Sequence, residues 1–235
     1  MKSFGTFTEA LQKEPGTQYG SNEGGIYHDT DTGDKHYVKF YQNPDQARVE
    51  ALTGKIYDHM GIKTIKPEHK MVDGKHAIIT KWNDKLGRVH PSEFEKLNPK
   101  QADQLAKMFH AAVLTKNWDI VGLEHDNIVK DKETGDLHAI DHGGAFHFRA
   151  RGGPKEYGPD ISEHESLRNN GQASEHVFNS LKDQYPQAYK NGIKAVKKIN
   201  NQHVHDLFQN SGLTNWKDLY NNFSERKRKL LNAYR

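Results

Sequence analysis

Asp119, Asp126, Asn127 and Asp141 are the residues of this chain whose types and spacing are best suited to chemistry. All lie in one stretch, N-W-D-I-V-G-L-E-H-D-N-I-V-K-D-K-E-T-G-D-L-H-A-I-D-H-G-G, from Asn117 to Gly144. Ile128 and Val129 fall in one β-like run, and Leu137, Ala139 and Ile140 in the next. Between them, Lys132 to Asp136 is a hairpin turn signal. The stretch therefore reads as strand, turn and strand, with carboxylates and an amide at the ends. The Asn127 amide oxygen and the Asp141 carboxylate are hard donors suited to Mg²⁺, and a remaining aspartate can orient or deprotonate a hydroxyl. Asp and Asn also favour turns for backbone reasons alone, so the elements around them have to decide.

Upstream, Gly16, Gly20, Gly24 and Gly25 make a glycine-rich run. Glycines allow tight turns whose amides can cradle phosphate oxygens. Next comes His36-Tyr37-Val38-Lys39-Phe40-Tyr41, a strand in which Lys39 points opposite to Val38 and Phe40. A lysine so placed needs a partner unless its face is wet. The following segment offers Glu50: Asn43 as N-cap and Pro44 at the first position start a helix that runs to Met60 and stops at Gly61. Ala47, Ala51 and Leu52 form its inward stripe, with Glu50 beside them. Two strands, 68–72 and 76–80, surround the Asp73-Gly74 turn, and the second, the most apolar of the N-terminal half, ends in Trp82. Residues 83–98 are polar and cross to a second lobe. From Asn98-Pro99, the positions Ala102, Leu105, Ala106, Phe109, Ala112 and Val113 predict a buried amphipathic helix delivering the chain to Asn117. Residues 174–235 read as helices, the last capped by Ser224, with Arg226 to Lys229 as a solvated basic run.

This order of parts resembles the protein-kinase-like superfamily. The segment H-D-N-I…A-I-D-H-G-G is most similar to its atypical branch, the HipA-type and phosphatidylinositol-kinase-like catalytic domains. The resemblance covers most of residues 16–155 and implies an α+β, two-lobed fold. Residues 1–82 would form an N-terminal lobe with a small antiparallel sheet, and 83–235 a mainly helical C-terminal lobe holding the catalytic hairpin. It implies ATP and Mg²⁺ as cofactors, with phosphoryl transfer to a hydroxyl of a protein, lipid or small molecule. Carried onto this chain, Gly24, Gly25, Lys39, Glu50 and Trp82 bind nucleotide, Lys39 paired to Glu50. Asn127 and Asp141 bind metal, and Asp119 is the base with Asp126 as the substitute. The protein-kinase spacing H-R-D-x-x-x-x-N is not kept, because the interval from Asp119 to Asn127 is longer. A non-catalytic nucleotide-binding module and adenylyl transfer are the competing expectations. Arg149, Arg151 and Lys155, in a glycine-rich segment after Asp141, would receive an anionic substrate or the γ-phosphate.

Composition narrows the setting. The 235 residues contain no cysteine, which removes disulfides, thiolate metal sites and thiol catalysis and fits a cytoplasmic location. A net charge of +3 is too small to point to nucleic acid. No apolar run is long enough for a membrane span. The histidines are numerous but scattered, without a metal-ligand spacing.

Overall fold

The computed structural model of the chain describes residues 10–19 and 22–235. Strands β1 (Leu11–Lys13), β2 (Gly24–Asp29), β3 (Lys35–Phe40), β4 (Glu68–Val72) and β5 (Lys75–Lys81) form one antiparallel sheet in the order β1-β2-β3-β5-β4. The β4–β5 turn has Asp73 and Gly74 at φ +51° and +73°, the left-handed pair that a two-residue hairpin demands. Lys39 stands opposite Gly24 on one side and Ile78 on the other. Because side chains alternate, Tyr37, Lys39, Ile78 and Thr80 share the inner face of the sheet, and His36, Val38, Ile79 and Lys81 share the outer face.

Helix α1 (Pro44–His59) covers the inner face. Asn43 caps it by accepting from the Asp45 amide at 2.9 Å, and Gly61, at φ +72°, turns the chain away after it. Its apolar stripe, Ala47 and Ala51, packs against Tyr41 and Ile78. The outer face keeps a smaller cluster of Val38, Phe40, Val72, Ala77 and Ile79.

The second lobe contains the main core. Helix α2 (Pro99–Thr115) starts at a capping box between Asn98 and Gln101 and is buried from Leu105 onward except for Lys107. Lys116 ends it in the left-handed region, φ +51°. Strands β7 (Ile128–Asp131) and β8 (Leu137–Ala139) form the hairpin expected from sequence, its turn held by Asp131 accepting from the amides of Glu133 and Thr134, each at 2.9 Å. The polar crossing at 83–98 contains β6 (Leu86–Arg88), which adds to β7 as a third strand. Helices α3 (Glu163–Ser166), α4 (Ala173–Gln184), α5 (Pro186–Asn191), α6 (Ile193–Lys197), α7 (Asn201–Gln209) and α8 (Trp216–Asn232) complete the lobe.

Residues 11–13 are a strand and residues 1–9 lie outside the described part. Two expectations change. Ser224 falls inside α8, which begins after Asn215. Arg226 is fully buried rather than solvated: it pairs with Glu163 and donates to the carbonyls of Val113, Leu114, Gly158 and Asp160. These bonds tie α8 to the end of α2 and to the loop before α3. Losing such a partner would strand a buried carboxylate, a change that typically costs about 3–5 kcal/mol.

Candidate active site

Two carboxylates hold Lys39. Its Nζ lies 2.7 Å from Asp141 Oδ1 and 3.3 Å from Glu50 Oε2. The strand fixes the lysine, α1 supplies Glu50, and the chain after β8 supplies Asp141, so one ammonium joins elements of both lobes. Burial alone would favour the neutral amine, but Glu50 and Asp141 outweigh it and hold its pKa well above the ordinary value. Burial pushes the Glu50 carboxyl up, against the pull of Lys39. Asp141 goes the other way: burial opposes ionisation, yet the contact with Lys39 keeps its pKa below the usual range. The Asp141 side chain is still 44% exposed and so open to a ligand.

The sequence reading missed Tyr41, whose hydroxyl donates to Glu50. Only its place two residues after Lys39, on the same strand face, pointed to it. Gly143 explains how these groups fit together: a Cβ there would stand 2.6 Å from the Tyr41 hydroxyl and 3.3 Å from Glu50 Oε2. Asp141 itself adopts φ +52°, a conformation uncommon for a residue other than glycine. His142, between them, is fully buried, packs edge-on to Tyr57 at 4.9 Å, and has no well-aligned hydrogen bond at either ring nitrogen. Burial lowers its pKa to about 4, so it sits there as an uncharged ring.

On the other side of the hairpin, Asn127 Nδ2 donates to the Asp119 carbonyl at 2.7 Å and to Asp119 Oδ2 at 3.0 Å. Asn117 Oδ1 accepts from the Asp119 amide at 3.1 Å. The long interval between Asp119 and Asn127 therefore closes into a loop that brings the two side chains together. Burial, and then the charge of Asp141, raise the Asp119 pKa to about 6. Asp126 is placed differently. Its Oδ1 lies 2.1 Å from where a Gly122 Cβ would be, so the carboxylate turns back over the left-handed Gly122, φ +77°. Its local role in that turn accounts for the glycine.

The basic segment after Asp141 is not one surface. Arg149 and Arg151 are exposed, whereas Lys155 is buried, its Nζ donating to the carbonyls of Lys116 at 2.5 Å and Gly144 at 2.6 Å. It also lies over the Trp118 ring at 4.8 Å. One side chain thereby links the chain just before Asp119 to the chain just after Asp141. Burial is the main cause of its lowered pKa, about 7, with the charges of Lys116 and Arg226 acting in the same direction.

Gly24 and Gly25 belong to β2 rather than to a loop. Gly24 is needed for strand contact: a Cβ would meet the Val38 carbonyl at 2.4 Å. The turn leading into β2 carries Gly16 at φ +74°, while Gly20 lies outside the described residues. Trp82 follows β5 and stacks on Tyr19, ring centroids 6.0 Å apart, with Tyr37 at 6.3 Å. Tyr37 lies on the Lys39 face of the sheet, so this aromatic group borders the same inner surface.

Asn127 and Asp141 supply two oxygen donors of the kind Mg²⁺ prefers. With its amide nitrogen committed to Asp119, Asn127 has its oxygen left for a cation. Among the described residues, no group of three or more His, Cys, Asp or Glu side chains is set to hold a metal.

No protein-family model matches the chain, and no curated protein matches it in sequence. Its fold is similar to that of a solved structure, the Helicobacter pylori proinflammatory kinase CtkA, at a TM-score of 0.65 and 14% identity, covering 95% of this chain and 94% of that one. The chain has a two-lobed, protein-kinase-like fold, with a sheet-and-helix N-terminal lobe and a mainly helical C-terminal lobe. No helix among the described residues is long and apolar enough to cross a membrane.

Proposed function

We propose that this protein is an ATP-dependent phosphotransferase that moves a phosphoryl group to a hydroxyl acceptor, a protein or a smaller molecule, in the manner of atypical kinases. The observation that carries this reading is Lys39 held between Glu50 at 3.3 Å and Asp141 at 2.7 Å. In the reading, Lys39 neutralises nucleotide phosphates, Glu50 anchors it, and Tyr37 and Trp82 border the base. Asn127 and Asp141 would hold Mg²⁺, which supplies neutralisation of the phosphate charge when bound. Lys39 then exchanges its contact with Asp141 for one with phosphate, freeing the carboxylate.

Asp119 is the base of this proposal. Among the described residues no cation forms an ion pair with it, its pKa near 6 lies close to neutrality, and Asn127 fixes the orientation of the carboxylate. Asp126, turned onto Gly122, is the weaker candidate. A cytoplasmic setting agrees with the absence of cysteine.

Mass spectrometry of the protein with candidate acceptors after incubation with Mg-ATP tests the reading. A phosphoryl adduct that disappears in Asp119→Asn is expected. An adenylyl adduct would reassign the chemistry on the same fold, and nucleotide binding without any adduct would leave a binding module.

A further inference from the structure

We propose that a cavity between the outer face of the sheet and the second lobe, beside the hinge segment 82–86 that joins the lobes, is a second ligand site, taking a nucleotide-sized organic anion with an apolar or aromatic body, and that its occupancy sets the nucleotide affinity of the front cleft. The cavity measures about 600 Å³, within the range of small-molecule sites. Strand register separates it from the Lys39 cleft. His36, Glu68, Lys70, Ile79 and Lys81 all line it, and β3–β5 and β4–β5 pairing puts all of them on the outer face of the sheet. Lys39 and Ile78 face the other way.

The lining specifies the ligand. Lys66, Lys70 and Lys81 face Glu68 as the single carboxylate of the wall. Glu68 lies 3.0 Å from Lys70, and Lys81 also meets Asp34, outside the wall, at 3.0 Å. With neutral histidines, and with Lys81 balanced from outside by Asp34, the wall keeps an excess of one positive charge over these two carboxylates. Ile65, Ile79, Leu86 and Trp82 supply the apolar remainder. His138, on β8, also lines the cavity and has a buried Nδ1 without a hydrogen-bond partner, an acceptor or donor available to a ligand. Lys66 adopts φ +50°, an unusual backbone state at the rim.

The position of the walls gives the coupling. The sheet and connector contribute one side; Leu86 and His138 of the second lobe contribute the other. Trp82 lines the cavity and also stacks on Tyr19 beside the inner face. A ligand filling this space bridges the lobes at their hinge, and any preference for one hinge angle must change affinity at the cleft by linkage. This coupling rests on the nucleotide reading above; the site itself does not.

Anilinonaphthalene sulfonate, an aromatic anion of suitable size, is the probe. Fluorescence titration of the full chain should show one saturable site. Lys66→Glu with Lys81→Glu should weaken it about tenfold or more, and Leu86→Trp, which fills the space, should do the same. Both variants are checked for an unchanged unfolding temperature. Lys39→Met should bind the probe like wild type. Non-saturable binding, or binding lost in Lys39→Met and kept in the other variants, would overturn the site. The ATP affinity, measured by calorimetry with saturating probe, should shift at least threefold. An unchanged affinity, or no ATP binding at all, would overturn the coupling while leaving the site standing.

Discussion

Asp119 and Asp141 stand at opposite sides of the same hairpin, and their surroundings treat them in opposite ways. Ahead of the hairpin, Asp119 is held by an amide, Asn127, and its pKa rises to about 6 through burial and the charge of Asp141. Behind it, Asp141 has the ammonium of Lys39 at 2.7 Å and a lowered pKa. Neutral hydrogen bonding fixes a carboxylate while leaving its proton affinity high; a cation keeps the other ionised. Two like groups whose proton affinities are driven apart suit different tasks. The raised one can take a proton near neutral pH, and the lowered one favours its ionised form beside a cation. Asp126 belongs to neither environment, since its carboxylate covers Gly122.

The largest expected effect separates these roles by mutation. Asp119→Asn should keep Mg-ATP affinity and lose about a hundred- to ten-thousandfold in transfer rate, because an amide cannot accept the proton. Asp141→Asn should instead lose the Mg²⁺ dependence of nucleotide binding together with transfer. Asp126→Asn should stay close to wild type. Initial rates and binding isotherms of the three variants check this; equal losses in rate and affinity for Asp119→Asn and Asp141→Asn would erase the distinction.

A smaller effect is expected at the tie between the two sides. Lys155→Met removes the donor shared by the Lys116 and Gly144 carbonyls, which lie before Asp119 and after Asp141. Transfer should fall about ten- to a hundredfold through misplacement, with ATP affinity little changed. Steady-state kinetics beside calorimetry would show it, and Lys155→Arg should restore part of the rate. A Lys155→Met enzyme with the wild-type rate would mean that the tie is irrelevant to positioning.

The pH dependence sharpens the contrast further. With Asp119 as base, kcat/KM in the free enzyme should fall as pH drops through about 6. With metal at Asp141 and its negative field offset, the corresponding limb of kcat should lie lower. The stability sign is fixed too. A carboxyl raised in the folded state adds stability below its unfolded pKa and loses that contribution as pH rises through its folded value. Asp119→Asn should therefore melt a few degrees higher than wild type at pH 7, and the gain should vanish near pH 4. Thermal melts at both pH values measure it.

Much of this arrangement was legible before any coordinates. The Asn43-Pro44 start fixed the register of α1, and strand alternation then aimed Lys39 at Glu50. The Lys132-to-Asp136 turn announced the hairpin, with Asn127 and Asp141 beside it. What could not be read depends on contacts far apart in sequence. Lys155 lies in a run rich in glycine and arginine, and only the proximity of Lys116, thirty-nine positions away, makes it a buried donor. Arg226 sits in a basic run that reads as solvated, yet it is buried and its bond to Glu163 spans sixty-three positions. Asp119 and Asp126 look equivalent as letters; the glycine turn at Gly122 decides which one meets Asn127. The glycines at 24 and 25 signal backbone freedom, but sequence alone does not say whether a phosphate or the neighbouring strand uses it.

The central claim is that the Lys39–Asp141 cleft receives a magnesium nucleotide. Isothermal titration of the full chain with ATP, in the presence and absence of Mg²⁺, tests it most directly, with Asp141→Asn measured alongside. The account predicts tighter binding with Mg²⁺ in the wild type and the same weak binding with or without Mg²⁺ in the variant. No binding at millimolar ATP in either condition, or an Mg²⁺ effect that survives in Asp141→Asn, would contradict it.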